Sequence, residues 1–478
     1  MKIFITGCWG ARYLDWTRFG GKESYMEWTM APSAMAIAAE IVISELTQNG
    51  HEAYWVGGCI RDELLGRPVH DMDITTSALP EEVIAIFARS VPTGLAHGTV
   101  TVIQDGCAFE VTTYRTESGY VDHRRPEHVF FVNDVKEDLR RRDFTINAIC
   151  CGLNGELIDP FEGEKDLQLQ VIRCVGDAEE RFDEDALRML RCIRFASVLD
   201  FSIAKNTWRG LMRQRDKLAH IAVERVRAEL DRIVEGPHPL RGLGMLARCE
   251  LLARGKAPFP WTGTDMAAAA ALTAGIGELE SARLRWALLL HALKQSAQEA
   301  DVLLRAWTFS GTTRSGVVQV LRVREAWTAA IEAMPPGTGG MEGLRRQWIA
   351  AVLAFGVEAA EGWLSLLAIL PAAAPALPAV VSPAASSAFS VVESTEASTT
   401  PAAVNVQAAR EWIAQMPLTS LSELEITGNE LVGALDKRPG PWLGKMLNGL
   451  LQAVASGDLP NDKQLLLLEA KRMDRHER

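Results

Sequence analysis

The chain has 478 residues, 48% of them apolar and 23% charged, the balance of a globular chain able to bury a core rather than of a disordered one. At roughly 150 residues per domain there is room for about three domains. The net charge of −11 argues against a general nucleic-acid coat, yet a local basic surface stays open, because phosphate attraction depends on where the charges sit.

The first thirty residues carry Trp9, Trp16 and Trp28 without clear periodicity and read as an extension, or as sequence upstream of a start at Met30. Their apolar run is too short for a signal peptide. A helical pattern runs from Ala31 to Leu46 and is stopped by Asn49-Gly50. HEAYWVGG reads as a short buried strand ending in glycines, CIRDELLG as a helix closed by Gly66, DMDITTS as a second strand, and PEEVIAIFARS as a helix with Pro80 in its first turn. GTVTVIQDG and CAFEVTTYR form an expected antiparallel pair turning at Asp105-Gly106. Past Tyr114 a polar, charge-rich stretch reads as a mobile loop, after which LRRRDFTINAICCGL restores order.

From Asp177 onward helical patterns dominate. Residues 205–232 hold eight basic side chains against four acids, a local excess of four positive charges in an acidic protein. The apolar stretch 363–381 is broken by Pro371, Pro375 and Pro378, which argues against a membrane span. Residues 372–403 are rich in Ala, Pro, Ser, Thr and Val and almost uncharged, the composition of a linker or insertion. A Leu-rich unit and a charged tail follow. Eight cysteines lack any CxxC spacing, which points to reduced thiols in a cytoplasm rather than to a zinc site or disulfide scaffold.

Asp71 and Asp73 are the sharpest chemical feature. Side chains two apart in a strand share a face, so DMDIT sets two carboxylates side by side, an arrangement that a hard divalent cation stabilises; the bland alternative is a polar strand end facing water. Ahead of them, Val56-Gly57-Gly58-Cys59-Ile60-Arg61 is a strand, a glycine turn and a helix start. Glycines allow close backbone approach to phosphate, and Arg61 can neutralise it. The pattern is neither GxGxxG nor a Walker loop. Glu110 on a neighbouring strand can supply a third carboxylate, and the set describes two-metal phosphoryl transfer. Arg141-Arg142 could serve phosphate or ribose, or form a solvated helix edge. In EDALRMLRCIRF, Leu187, Leu190 and Ile193 make an apolar stripe, with Asp185 and Arg188 three apart as surface neighbours. Blandly they are an exposed pair worth roughly 0.2–0.5 kcal/mol. As base readers, the carboxylate accepts from an exocyclic amine while the guanidinium donates to ring nitrogen or carbonyl, which admits C and A and leaves groups unpaired against U and G.

GGCIRDELLGRPVHDMDITT, FEVTTYR, DLRRRDFTINA, DPFEGEKDL and EDALRMLRCIRF, in that order, resemble the class II tRNA nucleotidyltransferases, the CCA-adding enzymes, and their poly(A) polymerase relatives. ITGNELVGALDKRPGPWLGKMLNGLLQAV and RWALLLHALKQSAQEADVLLRAWTFS are similar to the bacillus-type subgroup. The resemblance implies an α+β protein of seahorse shape. A small mixed-sheet nucleotidyltransferase head (31–175) would be followed by an all-helical neck reading nucleotide and base (176–240), a tRNA-binding body (241–371) and a tail (404–478). It implies that Asp71 and Asp73 bind Mg2+ with Glu110 as a third catalytic carboxylate. Gly58 and Arg61 would hold the triphosphate, Arg142 the nucleotide, Asp185 and Arg188 the base, and Arg191 and Arg194 would line the same pocket. Residues 115–137 match the loop tied to the switch from C to A. The implied substrates are CTP, ATP and the tRNA acceptor end and elbow, with no membrane partner and with room for a homodimer. Residues 1–30 have no counterpart in the family, residues 372–403 look like an insertion within the tail region, and Ala292 after His291 removes the HD phosphohydrolase signature of some relatives. The runner-up activities are poly(A) synthesis and CC-only or A-only addition; a catalytically silent tRNA-binding protein is the reading from another class.

Overall fold

Alternation of apolar residues builds the first sheet. The computed structural model describes residues 28–121, 125–333, 340–371 and 406–476, so most of the expected extension and the 372–403 segment lie outside the described residues. The chain divides into two compact units, Met1–Phe259 and Pro260–Arg478.

In the first unit the elements run α1 (Ser33–Gln48), β1 (Ala53–Val56), α2 (Gly58–Leu64), β2 (Ile74–Thr76), α3 (Pro80–Ile86), β3 (Ser90–Gly94), β4 (Thr99–Gln104) and β5 (Cys107–Thr113). After β6 (Arg115–Val121) and β7 (Arg125–Phe131) come α4 (Val135–Arg140), β8 (Cys150–Cys151) and β9 (Leu157–Ile158). Seven strands form one mixed sheet in the order β3-β4-β5-β2-β1-β8-β9. The β2–β5 pair is parallel, and the other pairs are antiparallel. The β4–β5 turn falls at Asp105-Gly106, where both residues have positive φ (49° and 81°), the requirement of a tight hairpin turn that Asp-Gly meets.

Val100, Val102, Phe109 and Val111 point to one face and are buried there. α1 covers them with Ala38, Ala39, Val42, Ile43 and Leu46, all essentially inaccessible; each fully buried Val, Leu, Ile or Phe contributes about 1.5–3 kcal/mol. Glu110 and Thr112, one residue out of step, therefore face the other side. Residues Trp28 to Met30 are seated on this unit. The Thr29 N–H and hydroxyl donate to Glu63 Oε1 at 2.8 and 2.6 Å, the Met30 N–H donates to Oε2 at 2.9 Å, and Trp28 meets Trp55 edge-on at 5.3 Å.

Two local expectations are corrected. The polar stretch after Tyr114 is a hairpin rather than a loop: β6 and β7 pair antiparallel, Thr116 opposite Phe130 and Glu117 opposite Val129. The β-favouring Val129, Phe130 and Phe131 outweigh the charge content that suggests a loop. And β2 begins only at Ile74, so Asp71 and Asp73 lie on the extended segment leading into the strand.

The unit continues with α5 (Gly163–Gln168), β10 (Val171–Ile172), α6 (Ala178–Glu184), α7 (Leu187–Val198), β11 (Ser202–Ile203), α8 (Lys205–Gln214), α9 (Val223–Val234) and α10 (Pro239–Cys249); β10 and β11 pair in parallel. α7 buries Leu187, Leu190 and Ile193, the stripe expected of it. The second unit is helical: α11 (Gly263–Thr273), α12 (Ala282–Ala292), α13 (Ala297–Ala306), α14 (Gly311–Glu332), α15 (Gly340–Phe355), α16 (Val357–Ile369), α17 (Val406–Ala414), α18 (Gly428–Leu435), α19 (Pro441–Ala455) and α20 (Lys463–His476). Within it, burial lowers His291 to about 4, so this residue is a neutral ring set edge-on against Trp363 at 5.3 Å. The seven described cysteines are free thiols. Among the described residues no helix is long and apolar enough to cross a membrane.

Candidate active site

Strand register brings the carboxylates together. Ile74 of β2 stands beside Val111 of β5 in the parallel pair, which sets Asp73 level with Glu110 on the sheet face opposite α1. Asp71, two residues earlier, is exposed, as is Glu110, whereas Asp73 is half-buried. Burial raises the Asp73 carboxyl, and neighbouring Asp71 and Glu110 raise it further against the lowering effect of Arg142, to about 6. Asp71 and Glu110 are thus close enough to Asp73 to disfavour its ionisation. Among the described residues, however, no three His, Cys, Asp or Glu side chains stand close enough to hold a metal ion by themselves. Magnesium-type sites characteristically use one or two carboxylates and leave the remaining positions to water and substrate phosphates, so a pair of mutually repelling carboxylates fits a divalent ion that the substrate completes.

The glycine turn faces two guanidinium groups. Gly57 has φ +79°, and a Cβ there would sit 2.9 Å from Arg142 Nη1. A Cβ on Gly58 would come 3.7 Å from Arg61 Nη2. Arg61 is held by a bidentate pair with Asp62 (3.0 and 2.7 Å) and by donation to Asn147 Oδ1 at 2.6 Å. Arg142 is held by Asp138, 3.6 Å away and fully buried. Asp138 also takes Arg141 at 2.7 Å, the Thr75 hydroxyl at 3.2 Å and the Arg115 N–H at 3.3 Å. Burial alone would raise the Asp138 carboxyl, but Arg141 and Arg142 outweigh it and the group stays ionised. Gly57→Ala is expected to destabilise the protein by about 1–2 kcal/mol, because an L side chain is strained at that φ and its Cβ would displace the Arg142 guanidinium. A denaturation midpoint equal to that of the parent would contradict this.

A second group gathers around Phe195. The guanidinium carbons of Arg61, Arg191 and Arg194 lie 5.1, 5.4 and 4.1 Å from its ring centroid, and Phe144 meets it edge-on at 5.8 Å. Each arginine has a carboxylate partner: Asp62 for Arg61, Asp143 for Arg191 (2.7 Å) and Glu229 for Arg194 (2.6 Å). Burial would raise Asp143, but Arg191 and the Asn147 amide hold it down at about 2. Burial lowers Arg194 to about 10, despite Glu229.

Asp185 and Arg188 are not the exposed helical pair that their spacing suggests. Asp185 ends α6 in an extended conformation (φ −137°), outside α7, and one of its carboxylate oxygens accepts from the Leu187 N–H at 3.0 Å. Burial raises its pKa over the lowering effects of that hydrogen bond and of Arg225, Arg188 and Arg191. Arg188 is only 8% exposed. Its guanidinium donates to Glu184 at 2.6 Å and to the backbone carbonyls of Arg181 and Arg141, each at 3.1 Å. The break between α6 and α7 turns Arg188 toward Glu184 and leaves Asp185 held separately. Sequence reasoning assigned no role to Asp138, Asn147, Asp143, Glu184 or Phe195. A usable signal existed for two of them, since Asp138 precedes Arg142 and Glu184 precedes Arg188 by four residues.

The poly(A) polymerase head-domain family matches residues 53–173. An RNA- and SrmB-binding region of polymerase A matches residues 200–254, and tRNA nucleotidyltransferase domain 2 matches residues 385–470. The mixed-sheet head is thus that of a nucleotidyltransferase. The CCA-adding enzyme of Lactiplantibacillus plantarum is 37% identical over 436 residues, covering 90% of this chain and 94% of its own. That of Bacillus mycoides is 36% identical over 430 residues, covering 89% and 96%. A solved Bacillus stearothermophilus CCA-adding enzyme in complex with CTP superposes with a TM-score of 0.73 at 32% identity, covering 93% of this chain and 99% of that one. The chain belongs to the CCA-adding enzyme family, whose members are nucleotidyltransferases that need a divalent metal.

Proposed function

We propose that the protein adds C, C and A to the 3′ end of tRNA from CTP and ATP, without a nucleic-acid template and with release of pyrophosphate, in a cytoplasm. The observation that carries the reading is the raised Asp73 carboxyl beside Asp71 and Glu110, level with a glycine turn that two arginines overlook. Asp71 and Asp73 would hold Mg2+, which when bound supplies charge neutralisation at the triphosphate and activates the attacking hydroxyl. Gly58 leaves room for the triphosphate, and Arg61 and Arg142 neutralise its charge from fixed positions. Held by Asp138 and Asn147 beforehand, these guanidiniums lose little freedom when the substrate arrives.

Base choice would fall to Asp185 and Arg188. Arg188 donates and Asp185 accepts, a pattern complementary to the amine and ring nitrogen shared by cytosine and adenine. Arg191 and Arg194 would line the same pocket. Residues 31–175 would act as the catalytic head and 176–240 as the nucleotide-reading neck, with 241–371 and 404–478 gripping tRNA. The direct test is to sequence the product ends of a tRNA lacking CCA after incubation with CTP and ATP, singly and together. CC with CTP alone and CCA with both are expected; a product ending in CC or in a run of A with both nucleotides would replace the reading by one of its narrower relatives.

A further inference from the structure

One aromatic side chain on α7 draws three cations to it. Phe195 is buried, and the guanidinium carbons of Arg61 from α2 and of Arg191 and Arg194 from α7 all lie within 5.4 Å of its ring centroid. Like charges gathered this closely repel one another, and Arg191 is one of the groups that lower Arg194. Each guanidinium also meets a carboxylate, but through only part of its five N–H donors. Arg191 gives Nε and Nη2 to one oxygen of Asp143, each at 2.7 Å, and Arg194 gives Nε to Glu229 at 2.6 Å. Arg61 is shared between Asp62 and the Asn147 amide, which in turn donates to Asp143 at 3.1 Å. The ring itself is set edge-on to the buried Phe144, at an interplanar angle of 80°.

We infer that Phe195 is a positioning residue whose π face holds Arg61, Arg191 and Arg194 converged as a clasp for the triphosphate of the incoming nucleotide and for the pyrophosphate that leaves. The assignment rests on the nucleotidyl-transfer reading above. An aromatic face attracts a guanidinium without occupying its N–H donors, which lie in the plane of the cation, whereas a carboxylate occupies them. The ring therefore supplies an attraction that a phosphate oxygen does not have to displace. An aliphatic side chain of similar volume would fill the same space and leave the three charges to separate toward Asp62, Asp143 and Glu229. With the ring present, a polyphosphate meets cations already drawn together, and less of its binding energy goes into gathering them. Base choice stays with Asp185 and Arg188, so the contribution of Phe195 is the same for CTP and for ATP.

The experiment uses the full chain with Phe195 replaced by mono-, di- and trifluorophenylalanine, rings of nearly the same shape whose π face loses negative charge with each fluorine. Pyrophosphate with Mg2+ is the probe, titrated without tRNA, and the KM values for CTP and ATP are measured alongside. The dissociation constant of pyrophosphate and both KM values are expected to rise stepwise, by about five- to tenfold in the trifluoro variant, the scale of a desolvated cation–π contact. Phe195→Leu should weaken binding at least as much. The preference for CTP over UTP, and tRNA affinity measured without nucleotide, should match the parent throughout the series. A flat fluorine series, with Phe195→Leu alone weakening binding, would make Phe195 a packing residue and overturn the proposal. So would a loss of tRNA affinity in step with that of pyrophosphate, the mark of a general disturbance of the fold. Because pyrophosphate binding is read without catalysis, a parent that shows the stepwise series but fails to extend tRNA counts against the proposed activity alone. A parent that binds neither pyrophosphate nor nucleotide overturns both.

Discussion

Asp73→Asn is expected to abolish nucleotide incorporation, by about a thousandfold or more, while making the metal-free protein more stable above pH 6. The sign follows from the shift of this carboxyl to about 6. The native state holds the proton more tightly than an unfolded chain, where a carboxyl of this type titrates near about 3.9. The stabilisation from the protonated form is therefore fully present below about pH 4 and is lost as pH rises through 6. At pH 8 the ionised group costs the metal-free fold about 1–2 kcal/mol once partial exposure is allowed for. An amide removes that cost, so with chelator present the variant should melt above the parent at pH 8, and the difference should vanish near pH 4. Divalent ions should raise the parent's melting temperature and leave the variant's nearly unchanged. A variant that melts below the parent at pH 8 would show that the acids do not repel one another as the fold implies.

Arg188→Ala carries the second large effect, and it divides into two measurements. Removing a guanidinium that is 8% exposed strips Glu184 of one partner and leaves two backbone carbonyls with a donor fewer. The expected destabilisation is about 2–4 kcal/mol. The ratio of kcat/KM for CTP over UTP, and for ATP over GTP, should fall by about 10–100-fold, the scale set by one charge-assisted hydrogen bond. Arg188→Lys separates the two. It retains a charge for Glu184 but cannot reach Glu184 and two carbonyls with one planar fork, so it should recover much of the stability and little of the selectivity. Retention of the parent preference in both variants would exclude a base-reading role for this arginine.

The placement of Asp138 explains why these sites are linked. It is buried against Thr75 of β2 and ties Arg141 and Arg142 to the sheet, while the Arg141 carbonyl accepts from Arg188. Strand β2 and Arg188 are thus joined through one short segment, residues 138–142. Glu117 on β6 also reaches Arg141, at 3.5 Å, so the hairpin is anchored to the same segment.

Much of this was readable from sequence because it depends on local rules. The period of two along β4 and β5, the Asp-Gly turn at 105–106, the glycine turn at 57–58 and the apolar stripe of α7 are each dictated by covalent geometry and solvent exclusion within a few residues. The two-apart spacing of Asp71 and Asp73 belongs with them. What the tertiary structure alone decided is which charges meet. Arg188 turns to Glu184 because the chain breaks helix at Asp185, and Asp138 is buried because a sheet face closes over it. The basic excess of residues 205–232 shrinks because two carboxylates distant in sequence, Glu179 and Asp183, neutralise Arg213 and Lys217. Pairing energies depend on distance and burial, which a linear pattern does not contain; helix and strand periods depend only on the backbone, which it does.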